Sequence, residues 1–269
     1  MRAVALVFAV LLLALPARAQ EGADDTPNLP EPSLPERIEI GLSTEVIAIT
    51  SDFAGVDLTI FGAVDNIDPL VQRQGRYDVF VVLEGPSTDL VTRRKGRVLG
   101  IWMNVDSQPY LAVPESFLIS STRQSQDVTD LETLARLSLG VGQIRLRPEE
   151  TGSDEEDVRE FTAALRRLKE QGGLYREFPS GVRFISQSLF RAQLRLPANV
   201  PLGRHVARAY LFRQGVLVAQ TQATLDIRKA GLEYQLYTLA QQRSLLYGLA
   251  SVFLAFLVGW LGRVMFRRD

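Results

Sequence analysis

The sequence has no cysteine and a single histidine, His205, in 269 residues. Without cysteine there is no disulfide framework, thiol nucleophile, zinc–thiolate site, iron–sulfur cluster, covalently attached c-type haem or lipidated N-terminal cysteine. A lone imidazole excludes any catalytic or metal site that needs two from one chain. Excess charge is missing too, with 30 basic and 31 acidic residues. Motifs that carry common chemistries are also absent: no G-x-S-x-G elbow, no H-E-x-x-H, no phosphate-binding G-x-x-x-x-G-K, and Gly140 and Gly142 lack the third glycine of a dinucleotide turn. What remains is an ordinary globular composition, 46% hydrophobic and 23% charged. It excludes disorder throughout, collagen and a polytopic membrane protein.

The two ends place the chain. Met1 and Arg2 form a short positive start, Val4 to Leu15 an apolar run, and Ala17-Arg18-Ala19 a small-residue cleavage site. This is the pattern of a signal peptide over residues 1–19. Near the other end, Ser244 to Gly262 is uncharged and flanked by Arg243 and Arg263. As a helix it would cross about 28 Å, enough for a bilayer core. Tyr247 and Trp260 lie near its boundaries, and Arg263, Arg267 and Arg268 follow. Aromatic and basic residues at these positions anchor a span at the membrane interfaces, and the arginines favour a cytoplasmic tail over 263–269. The expectation is a single-pass protein of the cytoplasmic (inner) membrane, its N-terminal domain periplasmic. Between the ends lie 25 basic and 30 acidic residues. This acidic balance argues against nucleic acid as a partner.

The intervening chain divides by pattern. Residues 20–36, with Pro27, Pro30, Pro32 and Pro35, read as an extended leader. From 37 to 228, short apolar or alternating runs separated by turn residues predict a β-rich ectodomain. Strand candidates begin with Ile38, Ile40 and Leu42 and continue at Val46–Thr50, Val56–Gly62, Tyr77–Leu83, Arg97–Asn104 and Phe117–Ser121. Arg94-Lys95-Gly96 reads as a hairpin turn. Later candidates are Phe190–Leu196, His205–Phe212 and Val216–Ile227, with a turn at Arg213-Gln214-Gly215. A helical insertion is expected near 125–180. One helix would be capped by Thr129 and Glu132 and ended by Gly140, and a second capped by Ser153 and Glu156 with a Val158, Phe161, Leu165, Leu168 stripe. Leu232, Leu236 and Leu239 give a juxtamembrane helix over 229–243. The fold class is mostly β with a helical insertion (α+β): an immunoglobulin-like β-sandwich, or two small sandwiches, plus one C-terminal transmembrane helix.

The candidate site residues also suit plainer roles. His205, on a predicted strand, suits an ordinary hydrogen-bonded residue better than a general base. Asp65, Asn66 and Asp68 suit a turn better than a calcium site. Arg93, Arg94, Lys95 and Arg97 could meet anionic headgroups, yet a solvated hairpin edge carries such charges commonly. Glu155 and Glu156 complement a helix dipole. The membrane span offers the sharpest pattern. Gly248, Ser251, Ala255, Gly259 and Gly262 recur at three and four residues, one stripe of small side chains along a helix. Such a stripe predicts a homodimer or docking on a polytopic membrane protein.

Several stretches carry a resemblance: Ile49-Thr50-Ser51-Asp52-Phe53, Asp57-Leu58-Thr59-Ile60-Phe61-Gly62, Ser188-Leu189-Phe190-Arg191-Ala192, Leu196-Pro197-Ala198-Asn199-Val200-Pro201, Tyr210-Leu211-Phe212-Arg213, and Tyr247-Gly248 to Gly259-Trp260. Together they resemble a family of uncharacterised alphaproteobacterial transmembrane proteins. The resemblance spans nearly the whole mature chain and implies topology rather than chemistry. It also implies genomic proximity to predicted anion-exporting permeases, and transfers no catalytic residues. The expected function is a non-enzymatic, membrane-anchored extracytoplasmic module that assists a membrane partner such as a transporter, without a cofactor. A periplasmic ligand-binding sandwich is the second class and an exported hydrolase the third.

Overall fold

The computed structural model describes residues 34–75, 77–149, 154–231, 237 and 240–265. The signal segment, most of the leader, Ser153, Leu232, Leu236, Leu239, Arg267 and Arg268 lie outside the described residues. Among the described residues, thirteen strands and five α-helices follow one another. The first half holds β1 (Arg37–Leu42), β2 (Val46–Ile49), β3 (Val56–Asp65), α1 (Pro69–Arg73), β4 (Tyr77–Glu84), β5 (Ser87–Val98), β6 (Ile101–Pro114) and β7 (Phe117–Ser121). Then come α2 (Ser125–Val128), α3 (Leu131–Leu137), a 3-10 turn (Val141–Gln143), β8 (Arg147–Pro148) and α4 (Glu155–Gln171). The chain continues through β9 (Tyr175–Phe178), β10 (Val182–Phe184), β11 (Leu189–Leu196), β12 (Gly203–Arg213), β13 (Val216–Lys229) and α5 (Ser244–Met265).

These strands build a four-stranded sheet ordered β1-β3-β11-β10, a six-stranded sheet ordered β2-β13-β12-β4-β7-β9 and a small β5-β6-β8 sheet. Neighbours are antiparallel except β2 with β13 and β7 with β9. Alternation in β11 sends Phe190, Ala192, Leu194 and Leu196 inward and Arg191, Gln193 and Arg195 outward. The inward set joins Leu58 and Ile60 of β3, Val79, Val81 and Leu83 of β4, and Ala207, Ala209 and Leu211 of β12 in one core. The four- and six-stranded sheets therefore share a single interior, and strands from both halves of the chain contribute to it.

Strand β4 does not alternate, because Tyr77 through Leu83 are all buried. A strand covered on both faces reads as a continuous apolar run. Its second face, with Phe80 and Val82, packs beneath Val128, Leu134, Leu139 and Val141 of the helical insertion. Phe80 also meets Phe212 edge to face at 5.5 Å. The insertion is thus a third layer over the six-stranded sheet. A third apolar cluster pins α4 to the long β5–β6 hairpin through Tyr110, Val113, Phe161 and Leu165. The Tyr110 hydroxyl lies 2.8 Å from Thr162 Oγ1.

Several boundaries differ from the sequence expectation. The turn expected at Arg94-Lys95-Gly96 falls later, at Leu99 and Gly100, whose φ angles are 53° and 86°. Two successive left-handed residues suit the right-handed twist of a two-residue hairpin. Arg94 and Lys95 instead flank a register shift within the ladder, and the strand expected over Arg97–Asn104 is split between β5 and β6. Gln214 and Gly215 form the same kind of turn where it was expected, with φ angles of 52° and 86°. Helix α3 is capped by Asp130, not Thr129: the Asp130 carboxylate accepts from the Thr133 amide at 2.8 Å, while the Thr129 hydroxyl donates to Gly215 O at 2.7 Å. Ser138, left-handed at φ 54°, ends this helix before Gly140 is reached. In α4 the cap position is Asp154; Phe161 and Leu165 are buried, but Leu168 is exposed.

Candidate functional site

Helix α5 follows from composition. Its 22 residues carry no acidic side chain, and apart from Ala250 and Trp260 the positions between the small ones are Leu, Val and Phe. At 1.5 Å per residue it is about 33 Å long. Over Ser244–Arg263 the mean hydropathy is 2.0 and nothing is buried against the rest of the described chain. A helix this apolar and this exposed is out of place in water, and its length matches a bilayer core. Tyr247 and Trp260 sit 13 residues apart, about 20 Å along the axis, and Arg263 lies in the last described turns.

At about 100° per residue, Gly248, Ser251, Ala255, Gly259 and Gly262 fall within a sector of about 80°. Nothing lies within 4 Å of where a Cβ would stand at Gly248, Gly259 or Gly262. The Ser251 hydroxyl is returned to its own helix, donating to Tyr247 O at 2.9 Å. The stripe thus presents bare backbone at its three glycines, and its polar group needs no outside partner. Larger side chains, among them Leu249, Phe253 and Phe256, are exposed elsewhere around the helix.

The other candidates take simpler roles. His205 is fully buried; its Nδ1 lies 3.2 Å from Gly203 O and its Nε2 3.2 Å from Ser116 Oγ. A neutral ring satisfies both contacts, donating from Nδ1 and accepting at Nε2. Burial holds its pKa below the ordinary value. No carboxylate completes a triad there, since the third contact is a backbone carbonyl. Asn66 is left-handed at φ 56° and its amide donates to Pro35 O, while Asp68 caps α1 by accepting from the Leu70 amide at 2.8 Å. No cluster of metal-ligating side chains occurs among the described residues.

The cations at 93–97 divide. Arg94 is held by Asp157 at 3.0 Å and Glu160 at 2.9 Å and lies over the Phe161 ring at 4.8 Å. Arg93, Lys95 and Arg97 form no ion pair among the described residues. A separate cavity of about 310 Å³ opens between the six-stranded sheet and the insertion, where Arg145, Arg147 and Arg208 face Glu84 and Ser138. Arg208 is neutralised by Glu84, and Arg145 donates to the α3 carbonyls of Ala135 and Arg136. The sequence reading missed this cavity, because its arginines come from β8, β12 and the short segment between the 3-10 turn and β8, and only folding gathers them.

The family model described as "Putative transmembrane protein (Alph_Pro_TM)" matches residues 37–268. The chain belongs to this family. As an Alph_Pro_TM member it is a transmembrane protein, and α5, the single candidate span among the described residues, fits one pass. The stretches that carried the resemblance are now seen to be neighbours: Ile60, Phe61 and Gly62 of β3 lie opposite Ala192, Arg191 and Phe190 of β11. No curated protein matches the chain. Among solved structures it is similar to AggA, the major subunit of aggregative adherence fimbriae type I from Escherichia coli. That similarity is 9% identity over 74% of this chain and 97% of that chain, with a TM-score of 0.25, and carries no argument about fold or function.

Proposed function

We propose that the protein is a non-enzymatic, membrane-anchored extracytoplasmic module that serves a membrane partner, such as a transporter, through the small-residue face of α5. The carrying observation is that face: three bare glycines with Ser251 and Ala255 in a narrow sector of a helix clothed elsewhere mainly in large apolar side chains. In lipid no hydrophobic force drives helices together, so close backbone approach is a main source of association. A second copy of α5 or a helix of a polytopic protein fits the face equally well. The N-terminal domain is assigned to the periplasm and the arginine tail to the cytoplasmic side of the inner membrane.

The β domain is read as an immunoglobulin-like sandwich. In support, the order β1-β3-β11-β10 facing β13-β12-β4 corresponds to strands A, B, E, D facing G, F, C, with β7 where a further C′ strand would lie. The helical insertion then falls between C′ and D. Such folds commonly present loops and added hairpins to partners, and no described cluster of side chains points to bond-making chemistry.

The test is affinity purification of the full-length protein from its native membrane in mild detergent, alongside the Ala255→Leu, Gly259→Leu double variant. A stoichiometric membrane protein or a dimer should accompany the parent and be lost from the variant. Unchanged co-purification would sink the assignment of the face. The arginine-lined cavity supports a second reading, binding of a small anion. A rise in the melting temperature of the full-length protein with an anionic metabolite, abolished by Arg147→Ala, would favour it.

A further inference from the structure

The β5–β6 hairpin is long, and its far end is two-faced. Lys95 lies opposite Asn104 and Arg97 opposite Trp102, whereas Gly96 lies opposite Met103 and Val98 opposite Ile101. Directly opposed residues share a face, and successive residues alternate. One face therefore carries Arg93, Lys95, Arg97 and Trp102, and the other Val98, Ile101 and Met103. Leu99 stands at the tip, 98% exposed, with Ile101 at 70% and Trp102 at 67%. Polar residues normally occupy a hairpin end in water. Here the end is apolar, and the cations without an ion pair among the described residues begin just behind it.

The root of the hairpin faces the way the chain leaves for α5. Glu84, at the end of β4, lies opposite Val206 of β12, which lies opposite Thr224 of β13. The last residues of β13 and the first of β5 thus share one end of the six-stranded sheet. Pro86 marks the junction: a Cβ added at Gly203 would stand 3.5 Å from its ring. From this root, 12 residues of β5 reach about 40 Å. The 14 residues between Lys229 and Ser244 span at most about 50 Å. The hairpin is long enough to cover most of the distance that the connector permits between sheet and bilayer.

We propose that the tip of this hairpin inserts into an anionic bilayer surface. Lowered tip first by about 5–10 Å, the hairpin buries Leu99, Val98 and Ile101 at the acyl boundary and brings Trp102 to headgroup level, where indoles concentrate. Lys95 and Arg93, about 13 and 20 Å behind the tip, then lie among and above the phosphates; Arg97, whose Nε donates to Gly100 O at 3.3 Å in the structure, swings back along its own stem to join them. Charge selects the lipid. Each cation near an anionic surface is worth roughly fivefold in partitioning, so three give on the order of a hundredfold in the ratio of inserted to free tip. The inference rests on membrane anchoring alone and needs no protein partner.

Trp102 and Trp260 are the two tryptophans in the sequence, so Trp260→Phe in the full-length protein leaves Trp102 as the sole reporter. The protein is reconstituted into vesicles of phosphatidylcholine alone or mixed with phosphatidylglycerol. With the anionic lipid, Trp102 emission should shift to the blue, be quenched by brominated acyl chains and be shielded from acrylamide. In phosphatidylcholine alone these effects should be much weaker. Both the Arg93→Gln, Lys95→Gln, Arg97→Gln variant and the Leu99→Asp, Ile101→Asp variant should lose the protection; an unchanged melting temperature shows that each keeps its fold. An acrylamide-accessible Trp102 in anionic vesicles overturns the proposal. So does protection that scales with protein density and ignores lipid charge, which would instead mark contact with a second copy.

Discussion

Gly62 offers a stringent test of the facing sheets, because the β3–β11 pairing sets Phe190 directly over it. A Cβ added there would lie 2.1 Å from Phe190 Cζ, 2.5 Å from Cε1 and 2.8 Å from the Glu39 carbonyl oxygen. Carbon atoms pack at about 3.5–4.0 Å, so the overlap exceeds an ångström. The ring has nowhere to retreat: Phe190 is fully buried and meets Phe184 edge to face at 6.0 Å. The Glu39 oxygen belongs to the neighbouring strand and cannot yield without disturbing the β1–β3 ladder. Overpacking of this kind costs about 1–3 kcal/mol, and contact from two sides places Gly62→Ala near the upper end. For a domain of this size that is a fall in melting temperature of roughly 5–10 °C. Phe190→Leu alone should also destabilise, by removing ring contacts. Combined with Gly62→Ala it should cost less than the sum, because the clash and the lost ring are the same contact, and the double-mutant cycle should show an interaction of about 1 kcal/mol or more. Thermal unfolding of the full-length protein in detergent, followed by near-ultraviolet circular dichroism, supplies the four melting temperatures. A tolerated Gly62→Ala, or strict additivity in the cycle, would refute the register and the core built on it.

The titration of His205 gives a second prediction. Its folded pKa is held below the ordinary 6.5 by burial, so the unfolded chain binds the proton first as pH falls. Stability from the neutral ring is complete above about pH 7 and declines as pH drops through the unfolded value towards the folded one. The melting temperature should fall between pH 7.5 and 5.5, and His205→Gln should flatten that slope while lowering stability at neutral pH; an equal slope in the variant would contradict the assignment. Orientation can be read cleanly because the chain has no cysteine of its own. Gly142→Cys, at an exposed position with open space around the new side chain, should react with an impermeant maleimide in intact spheroplasts. Arg267→Cys should react only after lysis, and the reverse pattern would invert the topology.

How far the fold could be read beforehand depended on which forces were local. Strands with one wet face, such as β11, announce themselves by alternation. The apolar run of β4 was recognisable as a strand, but its second cover could not be foreseen, since the residues above it come from α2, α3 and the turn after them. Short β9 and β10 borrow their stability from β7 and β11 and carry little pattern of their own. The hairpin end was misplaced because a cluster of cations followed by glycine looks like a turn, whereas a left-handed Leu99 is a conformation that sequence seldom advertises. Conversely, the small face of α5 was fully legible, because on an isolated helix spacing alone fixes which side chains align. The arginine cavity and the two-faced hairpin tip required strand register, and register is a property of pairs.

The attachment of β13 has a mechanical side. Its last residues, Asp226 to Lys229, run parallel to Val46–Ile49 on one flank, while Gly203 and Arg204 pair with Ile227 and Asp226 on the other. Any tension from the bilayer enters the domain at Lys229 and runs along the axis of a strand gripped on both sides. The load falls on many crosswise bonds together, as on a lap joint, and cannot peel them apart singly from an edge. A tether fixed in this way resists being drawn out of its domain when the membrane or a partner pulls.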